Sequence, residues 1–256
     1  MTSTLTSTVR ASGLALALCA VLGACQRSDD DAAKPAASGA ATGAIVKQDH
    51  ALAHFTGMEL DIPGEAELRI GETESITLEG PDNVLALIET PVDKGTLKIR
   101  AKVKGAKLPE HAIKIVVQAK KGLAHLSVGG TGSINAATLP GESIDISLGG
   151  SGAVSVKGIE AQSVSINVGG IGKVSAVGST RGLSIALGGA GNVDAGKLKS
   201  NKASVDIGGV GQATLWANDD LDATVAGPGT ISYYGNPTVS KTIVGGGAVN
   251  RLGDAP

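Results

Sequence analysis

Apolar and polar residues along the chain follow two successive rhythms. Between residues 58 and 117 apolar side chains take every second place: Met58, Leu60 and Ile62; Ala66, Leu68 and Ile70; Ile76 and Leu78; Leu97, Ile99, Ala101 and Val103; Ile113, Ile115 and Val117. Alternation of this kind sends neighbouring side chains to opposite faces and predicts half-buried β-strands. The runs break at Pro63-Gly64, Gly71, Gly80-Pro81, Lys94-Gly95 and Lys104-Gly105, which favour tight turns. Residues 83–88, Asn-Val-Leu-Ala-Leu-Ile, lack the alternation and read as a short helix or a turn. Glu65 and Glu67 alternate with apolar positions, so they belong to the solvent side of a strand.

The second rhythm is longer. A glycine motif recurs as Gly-Gly-Thr-Gly-Ser-Ile at 129–134, Gly-Gly-Ser-Gly-Ala-Val at 149–154, Gly-Gly-Ile-Gly-Lys-Val at 169–174, Gly-Gly-Ala-Gly-Asn-Val at 188–193 and Gly-Gly-Val-Gly-Gln-Ala at 208–213. Looser copies start at Ala226 and Val244, so successive starts are separated by 20, 20, 19, 20, 18 and 18 residues. Aligned on these starts, the preceding residue is Val128, Leu148, Val168, Leu187, Ile207, Val225 or Ile243. Five after the start stand Ile134, Val154, Val174, Val193, Ala213, Ile231 and Val249. Intervening columns hold mainly Ser, Asp, Asn and Thr.

Two architectures satisfy such columns: a β-solenoid, with each repeat one coil and like residues stacked about 4.8 Å apart, or an antiparallel meander with glycine turns. Near-constant repeat length and matched side-chain size favour the solenoid. The expected fold is therefore all-β, a single-stranded β-solenoid of about seven 18–20 residue coils preceded by several strands of the same domain. One coil buries too little to offset the entropy of ordering it, which is why the unit is repeated.

The corner glycines are expected to be structural, adopting positive φ or allowing close backbone approach. They are Gly129, Gly130, Gly132, Gly149, Gly150, Gly152, Gly169, Gly170, Gly172, Gly188, Gly189, Gly191, Gly208, Gly209 and Gly211. A phosphate-cradling loop would require a further Gly or a following Lys-Ser/Thr, and none is present. Calcium-binding nonapeptides need an Asp where this chain has Ile134, Val154 or Val174. No metal and no cofactor is expected.

Composition narrows the reading further. Hydrophobic residues make up 42% but aromatic ones only 2%, so thin aliphatic layers must form the core. With a net charge of −2 there is no basic field for nucleic acid. His50, His54, His111 and His125 lack metal-ligand or triad spacing. The aromatics gather in one place: Trp216 and Tyr234 share a column, eight after the start, with Ala137, Lys157, Val177 and Gly196, and Tyr233 is adjacent. This cluster either binds sugar rings or a partner protein, or covers the open end of the solenoid. Lys241, in an otherwise apolar column, marks a terminal cap.

The N-terminus reads as targeting sequence. Arg10 precedes a nearly apolar run at 11–21, too short for the roughly 20 residues of a membrane-spanning helix. The run closes on Leu22-Gly23-Ala24-Cys25, which resembles the lipobox of bacterial lipoproteins. That resemblance implies a signal peptide over 1–24 and lipidation of Cys25, with the membrane as a partner through the lipid. Residues 25–48 then form a flexible tether, and 49–253 the solenoid domain. Gln26 is not the Asp that commonly retains enteric lipoproteins at the inner membrane, so the outer membrane is the expected location.

The segment Tyr-Gly-Asn-Pro-Thr-Val-Ser-Lys at 234–241, followed by Thr-Ile-Val-Gly-Gly-Gly-Ala-Val at 242–249, resembles the auto-transporter adhesin, head GIN domain family. The glycine ladder and the strand Lys-Gly-Thr-Leu-Lys-Ile-Arg at 94–100 fit the same family, over about residues 50–252. The resemblance implies an elongated right-handed β-helix on an exported or lipid-anchored chain and carries over no catalytic residues. The chain departs from the family pattern at 118–126, where the entry to the first coil is longer and more polar. Two functions follow as expectations: a non-enzymatic envelope adhesin or scaffold binding a glycan or envelope protein, or a carbohydrate-active β-helix enzyme. Against the enzyme, Asp145 and Asp222 share a column four coils apart, about 19 Å.

Overall fold

The computed structural model describes residues 43–255. The expected signal peptide, Cys25 and most of the expected tether lie outside the described residues. β-Structure starts at Ile45, within the stretch read as tether, because residues 45–51 pair antiparallel with 75–81. A polar strand is tolerated there because it lies on a sheet edge.

The upstream elements are β1 (Ile45–Ala51), β2 (Gly57–Leu60), β3 (Glu65–Ile70), β4 (Ser75–Pro81), the four-residue α1 (Asp82–Leu85), β5 (Ile88–Glu89), β6 (Val92–Asp93), β7 (Thr96–Ala101) and β8 (Lys114–Ala119). The repeat region comprises β9 (His125–Val128), β10 (Ser133–Ala136), β11 (Leu139–Leu148), β12 (Ala153–Val168), β13 (Lys173–Leu187), β14 (Asn192–Ile207), β15 (Gln212–Ala226), β16 (Thr230–Tyr234), β17 (Thr238–Val244) and β18 (Ala248–Gly253).

Every pairing between repeats is parallel and joins like columns. Leu126, Ile146, Ile166, Ile185, Val205, Ala223 and Lys241 stand over one another, as do Ile134, Val154, Val174, Val193, Ala213, Ile231 and Val249. The meander is thereby ruled out and the chain is a β-solenoid of about six turns. Within the repeat region, seven glycine corners delimit six complete coils.

Each coil has three walls. In β12 the first wall is 153–156, the second 159–161 and the third 163–168, set by the segments that pair with β13. Val154, Val156, Ile159, Val164, Ile166 and Val168 point inward and are at most 2% exposed. At the glycine corner the ladder does not stop: Gly169 N–H donates to Leu148 O (2.9 Å) and Ile171 N–H to Gly150 O (3.0 Å). Backbone donors at the bend are thus satisfied by the coil beneath.

The upstream strands differ from the expected series of tight turns. β2 lies parallel between β7 and β9, and β3 parallel between β8 and β10. Residues 57–70 are therefore a coil of the solenoid, inserted between the coil made by β7 and β8 and the one made by β9 and β10. Pro63-Gly64 forms its corner, with Gly64 at φ 151°. The Lys94-Gly95 turn is as expected, joining β6 antiparallel to β7 with both residues at positive φ (49° and 78°). β4 pairs antiparallel with β8 and carries β1, covering the first end of the ladder.

The opposite end is different. Among the described residues β17 pairs only with β15, and β18 only with β16. The inner columns finish there with Val239, Lys241, Ile243, Val249 and Arg251; Ile243 is 40% exposed. Lys241 carries charge into a column that is aliphatic in the coils beneath, and Arg251 stands over Tyr233, as a terminal coil requires.

Candidate functional site

The aromatic cluster divides between two surroundings. Trp216 and Tyr234 are register partners in β15 and β16, adjacent coils of the first wall, as the spacing predicted. Tyr233 partners Leu215 instead, in an inward column, and packs partly buried against the core near its open end. Trp216 and Tyr234 thus form an outer pair, and Tyr233 is part of the closure.

A bulge shapes the setting of this pair. The β14–β15 register jumps between Ala195 and Lys199, so Lys199 stands beside Trp216, correcting the alignment of Gly196 with that column. The Lys199 ammonium lies 5.7 Å from the Trp216 ring centroid, a cation–π distance. The indole N–H donates to Asn218 Oδ1 at 3.1 Å. A side chain at Gly196 would begin 3.3 Å from Tyr234 Cε2, so this glycine leaves room for the ring. Inside the bulge, the Ser200 hydroxyl donates to the Trp216 carbonyl at 2.6 Å, and Ser200 is fully buried. The corner is therefore fixed from both sides.

A second feature lies on the third wall, a few residues further along the same strands. An open groove of about 560 Å³ runs across β12, β13, β14, β15 and β17. One rim is the serine column Ser165, Ser184 and Ser204, continued by Asp222 and Ser240. The other rim holds the Lys202–Asp220 ion pair (2.8 Å), whose carboxylate raises the Lys202 ammonium above the usual lysine range. Sequence reasoning missed this groove because its small polar residues look like ordinary outward positions. The one available signal was the recurrence of Ser in four of the five coils, Ser165, Ser184, Ser204 and Ser240.

The remaining acidic residues and histidines do not converge on one site. Asp145 accepts hydrogen bonds from Ser147 (2.9 Å) and Asn167 (3.3 Å) and lies 3.2 Å from His125. Asp145 and Asp222 are four coils apart, about 19 Å, whereas glycoside hydrolysis uses carboxyls roughly 5 to 10 Å apart. His54 pairs with Glu74 (2.6 Å), far along the chain from His125. Among the described residues no group of His, Cys, Asp and Glu gathers that could hold a metal ion.

Parallel in-register coils, glycine corners and outward polar ridges define a β-solenoid that offers its walls to solvent. The chain belongs to the family described as "Putative auto-transporter adhesin, head GIN domain", which matches residues 54–237. Its fold is shared with a putative adhesin from Bacteroides fragilis at 26% identity and a TM-score of 0.79, covering 83% of this chain and 99% of that one. A putative lipid binding protein from Parabacteroides distasonis (23%, TM-score 0.67, 83% and 98% covered) and a putative adhesin from the same species (21%, 0.59, 83% and 98%) share the fold. No curated protein matches the chain.

Proposed function

We propose that the chain is a non-enzymatic cell-envelope protein of adhesin type, anchored by a lipid on Cys25, that binds a glycan or an envelope protein through its aromatic corner. The observation that carries this reading is the side-by-side placement of Trp216 and Tyr234 on an outer wall, braced by Lys199, Asn218 and the buried Ser200. Paired rings on a rigid backbone present apolar faces with polar edges at little entropic cost, which suits sugar rings and protein hot spots alike. Family membership and the adhesin from Bacteroides fragilis support the same direction.

The anchor rests on Leu22-Gly23-Ala24-Cys25, and the outer-membrane location on Gln26. Metabolic labelling with an alkyne fatty acid is expected to mark the chain and to be abolished by Cys25→Ser; persistent labelling defeats the anchor. Trp216→Ala with Tyr234→Ala is expected to weaken binding on a glycan array or to envelope extracts at least tenfold with the melting curve retained. Unchanged binding removes the corner as the contact, and release of products from a polysaccharide panel overturns the non-enzymatic reading.

A further inference from the structure

We propose that the groove on the third wall binds an unbranched, neutral glycan lying along the solenoid axis, independently of the aromatic corner. The groove crosses five coils, so its length is about 19 Å. Its volume falls within the range of ordinary ligand sites. The rim carries a hydroxyl at four of its five steps: Ser165, Ser184 and Ser204 stand about 4.8 Å apart, Asp222 places a carboxylate, and Ser240 a hydroxyl again. A ligand complementary to such a rim is itself a polymer with donors and acceptors recurring along its length.

The chemistry of the walls selects among polymers. An extended peptide would add to a sheet through free backbone groups, but β12 to β15 are paired on both sides, and the free edge of β17 lies at the end of the groove and runs across its length. An acyl chain needs enclosure by apolar walls, whereas this groove is open to solvent and its apolar lining runs between two polar rims. A polyanion needs uncompensated cations, and Lys202, the cation on the rim, already pairs with Asp220 while Asp222 adds negative charge. A neutral polyhydroxyl chain fits every condition. Serine hydroxyls both donate and accept, the carboxylates of Asp220 and Asp222 accept from sugar hydroxyls, and Lys202 donates. Gly182, opposite Ser184, leaves the second step of the other rim free of a side chain.

The test uses the full chain in detergent and two probe series, β-1,4-linked oligomers of glucose and of N-acetylglucosamine, each from two to six units, followed by calorimetry. At least one series is expected to bind, with affinity rising with each unit up to four or five and then levelling, and with little change in 0.5 M NaCl. Ser184→Ala with Ser204→Ala removes two exposed hydroxyls and is expected to lower affinity about tenfold or more. Ser204→Trp, which fills the groove from its rim, is expected to abolish binding, with circular dichroism unchanged for all variants. The proposal is overturned if neither series binds, if affinity is independent of length, or if the serine variants bind like the parent. Binding of stearate or anionic vesicles in place of the oligomers overturns it in favour of a lipid. Oligomer binding lost in Trp216→Ala with Tyr234→Ala but retained in the serine variants overturns it in favour of the corner, so the two readings fail separately.

Discussion

The corner glycines can be separated experimentally. In the copy at 169–172 the first two glycines look equivalent in sequence, yet a Cβ on Gly169 meets nothing within 4 Å. A Cβ on Gly170 would lie well inside contact distance of the Gly150 carbonyl oxygen in the coil beneath, 2.7 Å from Gly149 O and 2.9 Å from Gly149 C. Neither glycine stands at positive φ, so conformational freedom is not the reason for either. The Gly150 carbonyl that blocks the second position is the one that accepts from Ile171 N–H at 3.0 Å, so an added methyl must push it out of the ladder.

Overpacking of this kind costs about 1 to 3 kcal/mol, and the lost hydrogen bond about 1 more, giving roughly 3 kcal/mol for Gly170→Ala. Gly169→Ala introduces no clash and narrows the unfolded ensemble, so it is expected to be neutral or stabilising by up to about 1 kcal/mol. Urea unfolding followed by the fluorescence of Trp216, the single tryptophan of the chain, reads both variants against the parent. At equal m-values a lower midpoint for Gly170→Ala and an unchanged or higher one for Gly169→Ala is expected. Equal shifts for the two variants would refute close backbone approach as the reason for the motif.

Three further outcomes follow from the geometry. Ser200→Ala leaves the Trp216 carbonyl without its hydroxyl donor inside the wall and is expected to cost about 1 to 3 kcal/mol in thermal or urea unfolding, whereas Ser204→Ala, on the exposed rim, changes it by less than about 0.5 kcal/mol. Lys241→Val restores an unbroken aliphatic column at the open end and is expected to drive association through β17 and β18, seen as larger species in light scattering; a monodisperse, unchanged mass counts against a gatekeeping role for Lys241. Glu67 is held below the ordinary glutamate range, chiefly by its hydrogen bond from Arg69, so this surface interaction is present above the usual carboxyl pKa and lost as pH falls through the lowered one. Arg69→Ala is expected to move the Glu67 midpoint upward in a carboxyl NMR titration, and an unmoved midpoint would assign the shift elsewhere.

Much of this architecture can be read from the chain because a parallel solenoid turns repeat length directly into register. The columns through Val154 and Ile166 are legible since each coil must place an aliphatic over an aliphatic. The partnership of Trp216 with Tyr234 follows from the same count. The upstream coil is not legible. Alternation at Met58, Leu60, Ala66 and Leu68 identifies strands but not their neighbours, and nothing local to 57–70 specifies insertion between coils that come later in sequence. The groove is equally hidden, because a serine on a concave surface and a serine on a convex one have the same spacing. The glycine corners are legible as corners, but which position is blocked depends on the carbonyl of another coil.

Irregularity in this chain is concentrated on one wall. The parallel pairings slip between Val156 and Ile159, between Ser175 and Val177, between Ala195 and Lys199, and between Ser200 and Lys202, and once more at the open end between Tyr233 and Tyr234. Through β15, the third wall and the glycine corners stay in register. Bulges re-aim side chains and absorb changes in strand length without breaking the core. Here they absorb the coils of 19 and 18 residues on the second wall, the strip that separates the aromatic corner from the serine groove. The strict repeat therefore builds a rigid frame, and its departures from strictness turn Lys199 toward Trp216 and set the Lys202–Asp220 pair on the groove rim. Variation in this strip can reshape either surface while the aliphatic columns and the glycine ladder remain untouched.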